Sequence, residues 1–207
     1  MTNIFGEPME PKFSNGSIIV DRQLSDLDKL VIEFTDLLSK FGIKYVIISG
    51  YVAIALGRSR TTEDVDLFID RAGAVKILGL IDALLGMGYW ILNCDRKEAV
   101  EMLNENLAIR VAKKGRIIPN FEVKFPKRKI DKFSFDNSIT LVLNGKRLSI
   151  SQLEVQIPYK LWLGSDKDIE DAVHIYELCA KNLDKAAMAK AAKELNIEHE
   201  MLKYGIK

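Results

Sequence analysis

Two aspartates, Asp64 and Asp66, stand two residues apart in the apolar segment DVDLFI at residues 64–69. Successive side chains of a strand point to opposite faces, so the two carboxylates share one face while Val65 and Leu67 take the other. Two carboxylates this close repel each other, and a divalent cation is the usual reason to keep them together. Phosphoryl transfer is the usual chemistry that needs such a cation. The pattern therefore predicts metal ligands, although Asp-x-Asp alone is equally typical of strand-end charges that face water.

A turn of small residues precedes this strand. An apolar run over residues 45–48 ends at Ser49-Gly50, and a short helical stretch follows over residues 51–56. A glycine lets backbone N–H groups come close to a phosphate, and the N-terminus of a helix favours anions. The Ser49 hydroxyl adds one more hydrogen-bonding group. We expect this turn to bind the phosphates of a nucleotide.

A third acid, Glu122, is a candidate to complete the site. It stands alone in an apolar segment, residues 117–125, in which Phe121 and Val123 share the opposite face. A third carboxylate commonly completes a two-metal site and polarises or deprotonates the attacking hydroxyl. The alternative is a solvated strand face on which Glu122 and Lys124 face water and carry a cross-strand pair.

Apolar periodicity and turn residues predict the elements that position these side chains. Ser25 caps a first helix that ends at Gly42. The Asn144-Gly145 pair predicts a β-hairpin, and Ser151 with Glu154 predicts a capping box for a helix that Pro158 interrupts or restarts. The other predicted elements are strands over residues 89–92, 107–112, 139–143 and 147–150, and helices over 72–86, 96–103, 167–180 and within 183–204.

Mixed strands and helices with a hairpin predict an α+β fold, with a mixed β-sheet flanked by helices. We divide the chain into an N-terminal arm over residues 1–22, a core over 23–150 and a C-terminal helical region over 151–207 packed on that core. The length of 207 residues suits one such domain, and 48% hydrophobic residues suffice for a real core.

Composition limits the partners. A formal net charge of +1 gives no global attraction to nucleic acid or to a membrane, and no apolar stretch is long enough to span a bilayer. The N-terminal residues lack the basic-then-apolar pattern of a signal peptide. Cys94 and Cys179 stand apart without metal-ligand spacing, so we expect free thiols and a cytoplasmic location.

Two segments together carry a resemblance to a known family. The segment SGYVA at residues 49–53, followed by RTTEDVDL at residues 60–67, resembles the signature of the DNA polymerase β-like nucleotidyltransferase superfamily. The likeness is greatest to its small stand-alone prokaryotic members, including the abortive-infection and toxin–antitoxin type. Residues 157–160 and 167–172 look like later segments of those proteins, so the resemblance covers about residues 25–180.

The resemblance implies a role for each matching residue. It implies Mg²⁺ or Mn²⁺ as cofactor and in-line attack on the α-phosphorus of a nucleoside triphosphate, with release of pyrophosphate. Two positions depart from the usual pattern, because Ser49 replaces a glycine and Glu122 replaces the commoner aspartate. The implied metal ligands are Asp64, Asp66 and Glu122, and the implied nucleotide-binding residues are Ser49, Gly50, Arg58, Arg60, Thr62 and Lys160. For Lys160, a lysine lying over the core with its amine in water is an equal alternative.

Two functions of different classes follow. The first is a magnesium-dependent nucleotidyltransferase that moves a nucleoside monophosphate to a hydroxyl of an RNA, a protein or a small molecule. The second is a non-catalytic nucleotide-binding module, or one partner of a toxin–antitoxin pair, working with a cognate protein or as a homodimer. The basic run KFPKRK at residues 124–129 is more simply a solvated loop than a landing surface for RNA. Aminoglycoside modification is favoured less, because no acidic cleft for a polycation is apparent.

Overall fold

The computed structural model describes residues 10–207 of the chain. Within that range the strands form one mixed sheet with helices on both faces, which confirms the predicted α+β class. The strands are β1 (Lys12–Ser14), β2 (Ser17–Val20), β3 (Tyr45–Ile48), β4 (Asp64–Ile69), β5 (Tyr89–Ile91), β6 (Ile109–Lys113), β7 (Asn120–Lys124), β8 (Ile139–Leu143) and β9 (Lys146–Ile150).

The helices alternate with these strands and then continue alone to the C-terminus. They are α1 (Asp26–Lys40), α2 (Gly50–Ala55), α3 (Ala74–Gly86), α4 (Ala99–Asn104), α5 (Lys129–Asp136), α6 (Leu153–Leu163), α7 (Asp166–Cys179), α8 (Lys185–Leu195) and α9 (Glu198–Lys203). A short 3₁₀ turn, Ala180–Asn182, joins α7 to the segment before α8.

The order of strands in the sheet is β1-β2-β8-β9-β3-β4-β7-β6-β5. The strand with the two aspartates, β4, therefore lies near the centre. It runs antiparallel to β3 and parallel to β7, and the register places Ile48 beside Asp66 on one side and Glu122 beside Asp66 on the other. The sheet thus brings the small-residue turn after β3 and the acids of β4 and β7 to one region.

The two faces of the central strands differ as the alternation predicts. Val65 and Leu67 are fully buried in the main core, together with Phe121 and Val123 of β7. On the face that carries the aspartates, Phe68 and its β3 neighbours form a small second core against Phe135 of α5. The acidic end of that face keeps some exposure, because Asp64, Asp66 and Glu122 are only partly buried.

The first helix holds α2 through a buried ion pair. Ser25 caps α1 and bonds to Asp28 three residues later, which confirms the predicted cap. Asp28 also accepts from Arg22 at 2.6 Å and from the Tyr51 hydroxyl at 2.8 Å. Because Tyr51 is the second residue of α2, these bonds fix the start of that helix against α1.

Two predictions about the start of α6 are wrong. Ser151 is not the helix cap, since Gln152 holds that position and the Ser151 hydroxyl donates to the side chain of Gln156. Glu154 instead accepts from the backbone N–H of Asp184. The helix also runs through Pro158 without interruption, because packing of α6 between α7 and α8 compensates for the one hydrogen bond that proline cannot make.

Turns containing Asn-Gly join two pairs of strands. The predicted hairpin at Asn144-Gly145 is confirmed, with φ angles of 46° and 77° that suit a two-residue turn. Asn15-Gly16 makes a second such turn inside the predicted arm, and its hairpin adds β2 to the sheet alongside β8. The part of the arm at residues 1–9 lies outside the described range.

Three further expectations concern the surface and the cysteines. The basic run is not all loop, because Lys129 begins α5. Cys94 and Cys179 are free thiols. No helix within residues 10–207 combines the length and the apolar character needed to cross a bilayer.

Candidate active site

The carboxylates of Asp66 and Glu122 bind the same ammonium group. Lys124 follows Glu122 by two residues and so lies on the same face of β7. Its Nζ is 3.2 Å from Asp66 Oδ1 and 2.9 Å from Glu122 Oε1. Arg110, opposite Glu122 on β6, contacts the other oxygen of Glu122 at 3.1 Å. The structure therefore brings two of the three predicted acids together around one positive charge.

Burial and neighbouring charges shift the pKa values of this group. Burial raises the pKa of Asp66, and the charges of Glu122 and Asp64 add to the rise while Lys124 opposes it. Burial also acts to raise the pKa of Glu122, but Lys124 and Arg110 outweigh it and lower that pKa. Burial acts to lower the pKa of Lys124, and the two carboxylates reverse this and raise it. The two carboxylates thus favour the charged form of the ammonium.

Asp64 lies on the same face of β4 as Asp66, and its charge adds to the rise in the pKa of Asp66. Within residues 10–207, no three His, Cys, Asp or Glu side chains are arranged so that they could hold a metal ion. The donor chemistry still fits Mg²⁺ or Mn²⁺, since Asp66 and Glu122 already converge on a cation. Asn120, which pairs with Asp64 in the register, has a buried side-chain oxygen without a hydrogen-bond partner in the described part of the chain. The side-chain nitrogen of Asn120 donates to the carbonyl oxygens of Glu63 and Ile117.

The turn after β3 has an unusual backbone that a side chain from α6 holds in place. Ser49 has φ 61° and ψ −133°, which a residue with a Cβ rarely adopts. Gln156 accepts from the Ser49 N–H at 3.2 Å and donates to the Ser49 carbonyl at 2.7 Å. The bond from Ser151 to Gln156 orients the amide. Bonds from Gln156 therefore fix the backbone of the predicted phosphate-binding turn.

Gly50 is required by its neighbour Arg60. A Cβ at Gly50 would overlap Arg60 Nη2 and lie 3.2 Å from Arg60 Cζ. The guanidinium has little freedom to retreat, because Asp171 accepts from its Nε at 2.9 Å and from its Nη2 at 2.8 Å. Close approach of the Arg60 side chain thus explains the glycine.

We expect Gly50→Ala to lower the free energy of unfolding by about 1–3 kcal/mol, because the added methyl group displaces a held guanidinium. The measurement is urea denaturation followed by circular dichroism. Gly86→Ala is the matched control, since Gly86 is also helical and has no atom within 4 Å of an added Cβ. The control should be neutral or stabilising by up to about 1 kcal/mol. Equal effects of the two substitutions would contradict the explanation.

Behind the turn lies a buried group of charges that we call the Asp171 cluster: Asp171, Asp168, Arg58, Arg60 and Lys160. Asp171 accepts from Arg58 Nε at 2.8 Å and from Nε and Nη2 of Arg60. It also pairs with Lys160 Nζ at 2.7 Å. Lys160 also donates to Asp168 at 2.9 Å. The side chains of Asp171 and Lys160 are both 0% exposed.

This cluster bears on the predicted nucleotide contacts. The Lys160 ammonium lies in two ion pairs away from solvent, so its predicted contact with phosphate has no support in this geometry. Arg58 and Arg60 keep partial exposure, and Arg58 also contacts Glu170. The Thr62 hydroxyl donates to the Asp64 carbonyl at 2.8 Å and so shapes the start of β4. Arg58, Arg60 and Thr62 therefore lie around the turn and the start of β4, on the side that faces the protein interior.

An aromatic and cationic surface adjoins the site. Tyr159 and Trp162 stack with ring centroids 5.6 Å apart, and Arg128 lies over both rings. Tyr159 and Gln156 line a small cavity with Phe68, which shares the face of the acids. Trp162 is 45% exposed, so it does not serve only as core packing. Stacked aromatic rings beside basic residues suit contact with nucleic acid bases.

Three side chains of the site do not follow from the sequence pattern. The sequence pattern places Lys124 on the face of Glu122, but its contact with Asp66 on the neighbouring strand is not a local feature. Gln156 and Asp171 act on residues more than 100 positions away, and a local pattern does not reveal such contacts.

No protein-family model matches the chain, and no curated protein does. Solved structures do match. An antigenic nucleotidyltransferase-like protein from Paracoccidioides brasiliensis superimposes with a TM-score of 0.53 at 19% identity, over 86% of this chain and 91% of that one. ANT(2'')-Ia in complex with adenylyl-2''-tobramycin gives a TM-score of 0.53 at 10% identity, over 84% of this chain and 99% of that one.

A solution structure of the antibiotic-resistance factor ANT(2'')-Ia matches 87% of this chain and 98% of that one, with a TM-score of 0.52 at 12% identity. These identities are low, so the likeness concerns the fold. Nearly the whole of each relative is covered, and the match therefore includes helices as well as the sheet. The chain has the fold of these nucleotidyltransferases.

Proposed function

We propose that the chain is a divalent-metal-dependent nucleotidyltransferase that moves a nucleoside monophosphate from a nucleoside triphosphate to a hydroxyl group. The proposal rests on one observation. On this fold, the carboxylates of Asp66 and Glu122 both contact the ammonium of Lys124, next to the turn at Ser49-Gly50. Asp64 extends the acidic face of β4 by one further carboxylate.

Each group has a distinct task in this proposal. Asp66, Glu122 and Asp64 hold Mg²⁺ or Mn²⁺, which when bound neutralises phosphate charge and polarises the α-phosphoryl group. The backbone at Ser49 and Gly50 contacts phosphate oxygens. The Asp171 cluster positions that turn, since Arg60 contacts Gly50 from beneath. Arg58 and Arg60 keep partial exposure while Asp171 holds them, so part of each guanidinium is accessible to a nucleotide.

The chemical step needs no reactant other than the nucleotide, the acceptor and these groups. The acceptor oxygen bonds to the α-phosphorus, the bond from that phosphorus to the bridging oxygen of pyrophosphate breaks, and pyrophosphate leaves with its electron pair. A carboxylate near the acceptor, for which Glu122 is the candidate, takes the hydroxyl proton.

The acceptor belongs to one of three classes. The surface formed by Arg128, Tyr159 and Trp162 beside Lys127 and Lys129 favours RNA. Protein hydroxyl groups are the second class, in keeping with the proposed toxin–antitoxin type and a cognate protein or second copy as partner. Small molecules are the third, because a structural relative is described in complex with an adenylylated aminoglycoside.

The direct experiment incubates the purified chain with each of four α-³²P nucleoside triphosphates and Mg²⁺ or Mn²⁺. Total RNA, total protein and an aminoglycoside panel serve as acceptors, and EDTA is the control. We expect label to enter one acceptor class with one preferred nucleotide and to vanish with EDTA. No transfer with any acceptor, despite metal-dependent binding of nucleotide, would instead support a non-catalytic binding module. The absence of both transfer and binding would contradict both functions.

The non-catalytic alternative rests on one specific observation. Asp66 and Glu122 already have a cationic partner in Lys124, and no three His, Cys, Asp or Glu side chains within residues 10–207 are arranged to hold a metal ion. A protein that had lost catalysis would keep its acidic face neutral in this way. The two functions predict the same binding of nucleotide and differ only in transfer of label.

A further inference from the structure

We propose that Lys124 is an internal competitor of the divalent metal: its ammonium takes the position between Asp66 and Glu122 and leaves when a metal ion binds there. This inference rests on the acidic site of the proposed function. It concerns how that site is filled, and its test requires no transfer of nucleotide.

The contacts of Lys124 show that the position suits a single cation. Its Nζ lies within hydrogen-bond distance of one oxygen from each carboxylate, 3.2 Å for Asp66 and 2.9 Å for Glu122. A metal ion that bridged the same two oxygens would lie close to the present site of the nitrogen. The two cations therefore exclude each other through both space and charge.

The need for an internal cation follows from the surroundings. Asp66 and Glu122 face each other in the register of β4 and β7, with Asp64 two residues away on the same face. Three partly buried carboxylates with no cation would repel one another. Arg110 is 53% exposed and contacts only Glu122, so it does not neutralise Asp66. Lys124 is 29% exposed and contacts both acids, which makes it the stabilising charge of the metal-free state.

Lys124 is also able to leave. Its ammonium stands on a flexible four-carbon side chain. It lies near the end of β7, and the segment that follows before α5 is a loop. Rotation about the side-chain bonds alone moves the charge into solvent, with no change in the sheet. In this respect Lys124 differs from Lys160, which is fully buried among carboxylates.

The test compares Mn²⁺ binding by the full chain and by Lys124→Met, which keeps the length of the side chain and removes its charge. Isothermal titration with Mn²⁺ alone measures affinity. We expect Lys124→Met to bind Mn²⁺ about tenfold more tightly or better, because no ammonium has to be displaced. We also expect a lower melting temperature without metal and a larger rise on adding Mn²⁺. Equal or weaker binding by Lys124→Met would overturn the proposal.

Lys127→Met is the matched control. Lys127 is an exposed lysine three residues later, and its substitution removes the same charge from the same region. We expect its affinity for Mn²⁺ to equal that of the unaltered chain within about twofold, since long-range charges in solvent are screened. If both substitutions tightened binding equally, net charge rather than competition would explain the effect, and the proposal would fail.

A second measurement uses the unaltered chain and does not depend on the folding of a variant. An amine-reactive acetylating reagent followed by peptide mass spectrometry reports the access of each lysine. We expect labelling of Lys124 to rise several-fold when Mn²⁺ is added, while labelling of Lys127 stays constant. Constant labelling of Lys124 at saturating Mn²⁺ would overturn the proposal. So would the absence of Mn²⁺ binding in both the unaltered chain and Lys124→Met.

Failure of this inference and failure of the proposed function are distinguishable. If the unaltered chain transfers label but Lys124→Met binds Mn²⁺ no more tightly, the function stands and the competition does not. If no acceptor is labelled but removal of the ammonium tightens Mn²⁺ binding, the competition stands in a protein that does not catalyse transfer.

Discussion

Asp171→Ala is expected to lower the free energy of unfolding by about 3–5 kcal/mol, because it leaves buried positive charges without their common partner. Asp171 contacts Arg58, Arg60 and Lys160, and both it and Lys160 are inaccessible to solvent. Lys160 retains Asp168, but one carboxylate does not replace two. Urea denaturation measures the loss, and an unchanged dependence on urea concentration would show that unfolding stays two-state.

Glu170→Ala provides the matched control for this substitution. Glu170 precedes Asp171 on α7 and contacts Arg58 as well, but its side chain is 63% exposed. A surface ion pair of this kind contributes about 0–1 kcal/mol. If Asp171→Ala cost no more than Glu170→Ala, the cluster would not be the support that we infer. Asp171→Asn, which keeps the shape of the side chain, gives the same comparison if the alanine variant does not fold.

The same substitution should also weaken the nucleotide site. Arg60 contacts Gly50 only because Asp171 holds the guanidinium in place. Its release would let α2 shift and would change the turn at Ser49. The cluster would therefore link stability to the proposed function through one helix of six residues, Gly50–Ala55.

Local patterns in the sequence were sufficient to predict the acidic strand. Alternation in DVDLFI placed Asp64 and Asp66 on one face and Val65 and Leu67 in the core, as the structure has them. The Asn144-Gly145 turn could also be predicted, because the type of a two-residue turn depends on the residues within it. Asn15-Gly16 indicates the β1–β2 hairpin equally well. The hairpin was not predicted, because its strands have only three and four residues.

Contacts between distant segments set the limit of prediction. Ser151 has the spacing of a helix cap, but Gln156 offers its hydroxyl a partner that only the folded chain brings near. Lys160 has the position of a phosphate-binding lysine on an apolar helix, and its burial depends on Asp168 and Asp171 from the next helix. In each case a local rule competed with a tertiary contact, and the tertiary contact decided the geometry.

Asp66→Asn should have the opposite profile to Asp171→Ala: full stability with loss of transfer. Burial raises the pKa of Asp66, which means that the folded environment disfavours its charged form. Removal of this charge is therefore expected to change the free energy of unfolding by no more than about 1 kcal/mol, with Lys124 still paired to Glu122. Transfer of label should fall by at least about a thousandfold, because a neutral amide is a poor ligand for a hard cation.

The control for Asp66→Asn is Asp36→Asn, which makes the same chemical change at an exposed position on α1. Rates of label transfer are compared at saturating Mg²⁺ and nucleotide, and Mn²⁺-dependent binding of nucleotide is compared in parallel. Both the rate and the binding should survive in Asp36→Asn and be lost in Asp66→Asn. If Asp66→Asn kept transfer within about tenfold of the unaltered chain, the reaction would not depend on a metal held by this carboxylate. Because Asp66→Asn is expected to keep its fold, a loss of transfer could not be attributed to unfolding. This substitution therefore separates the chemical role of the acidic face from its structural role.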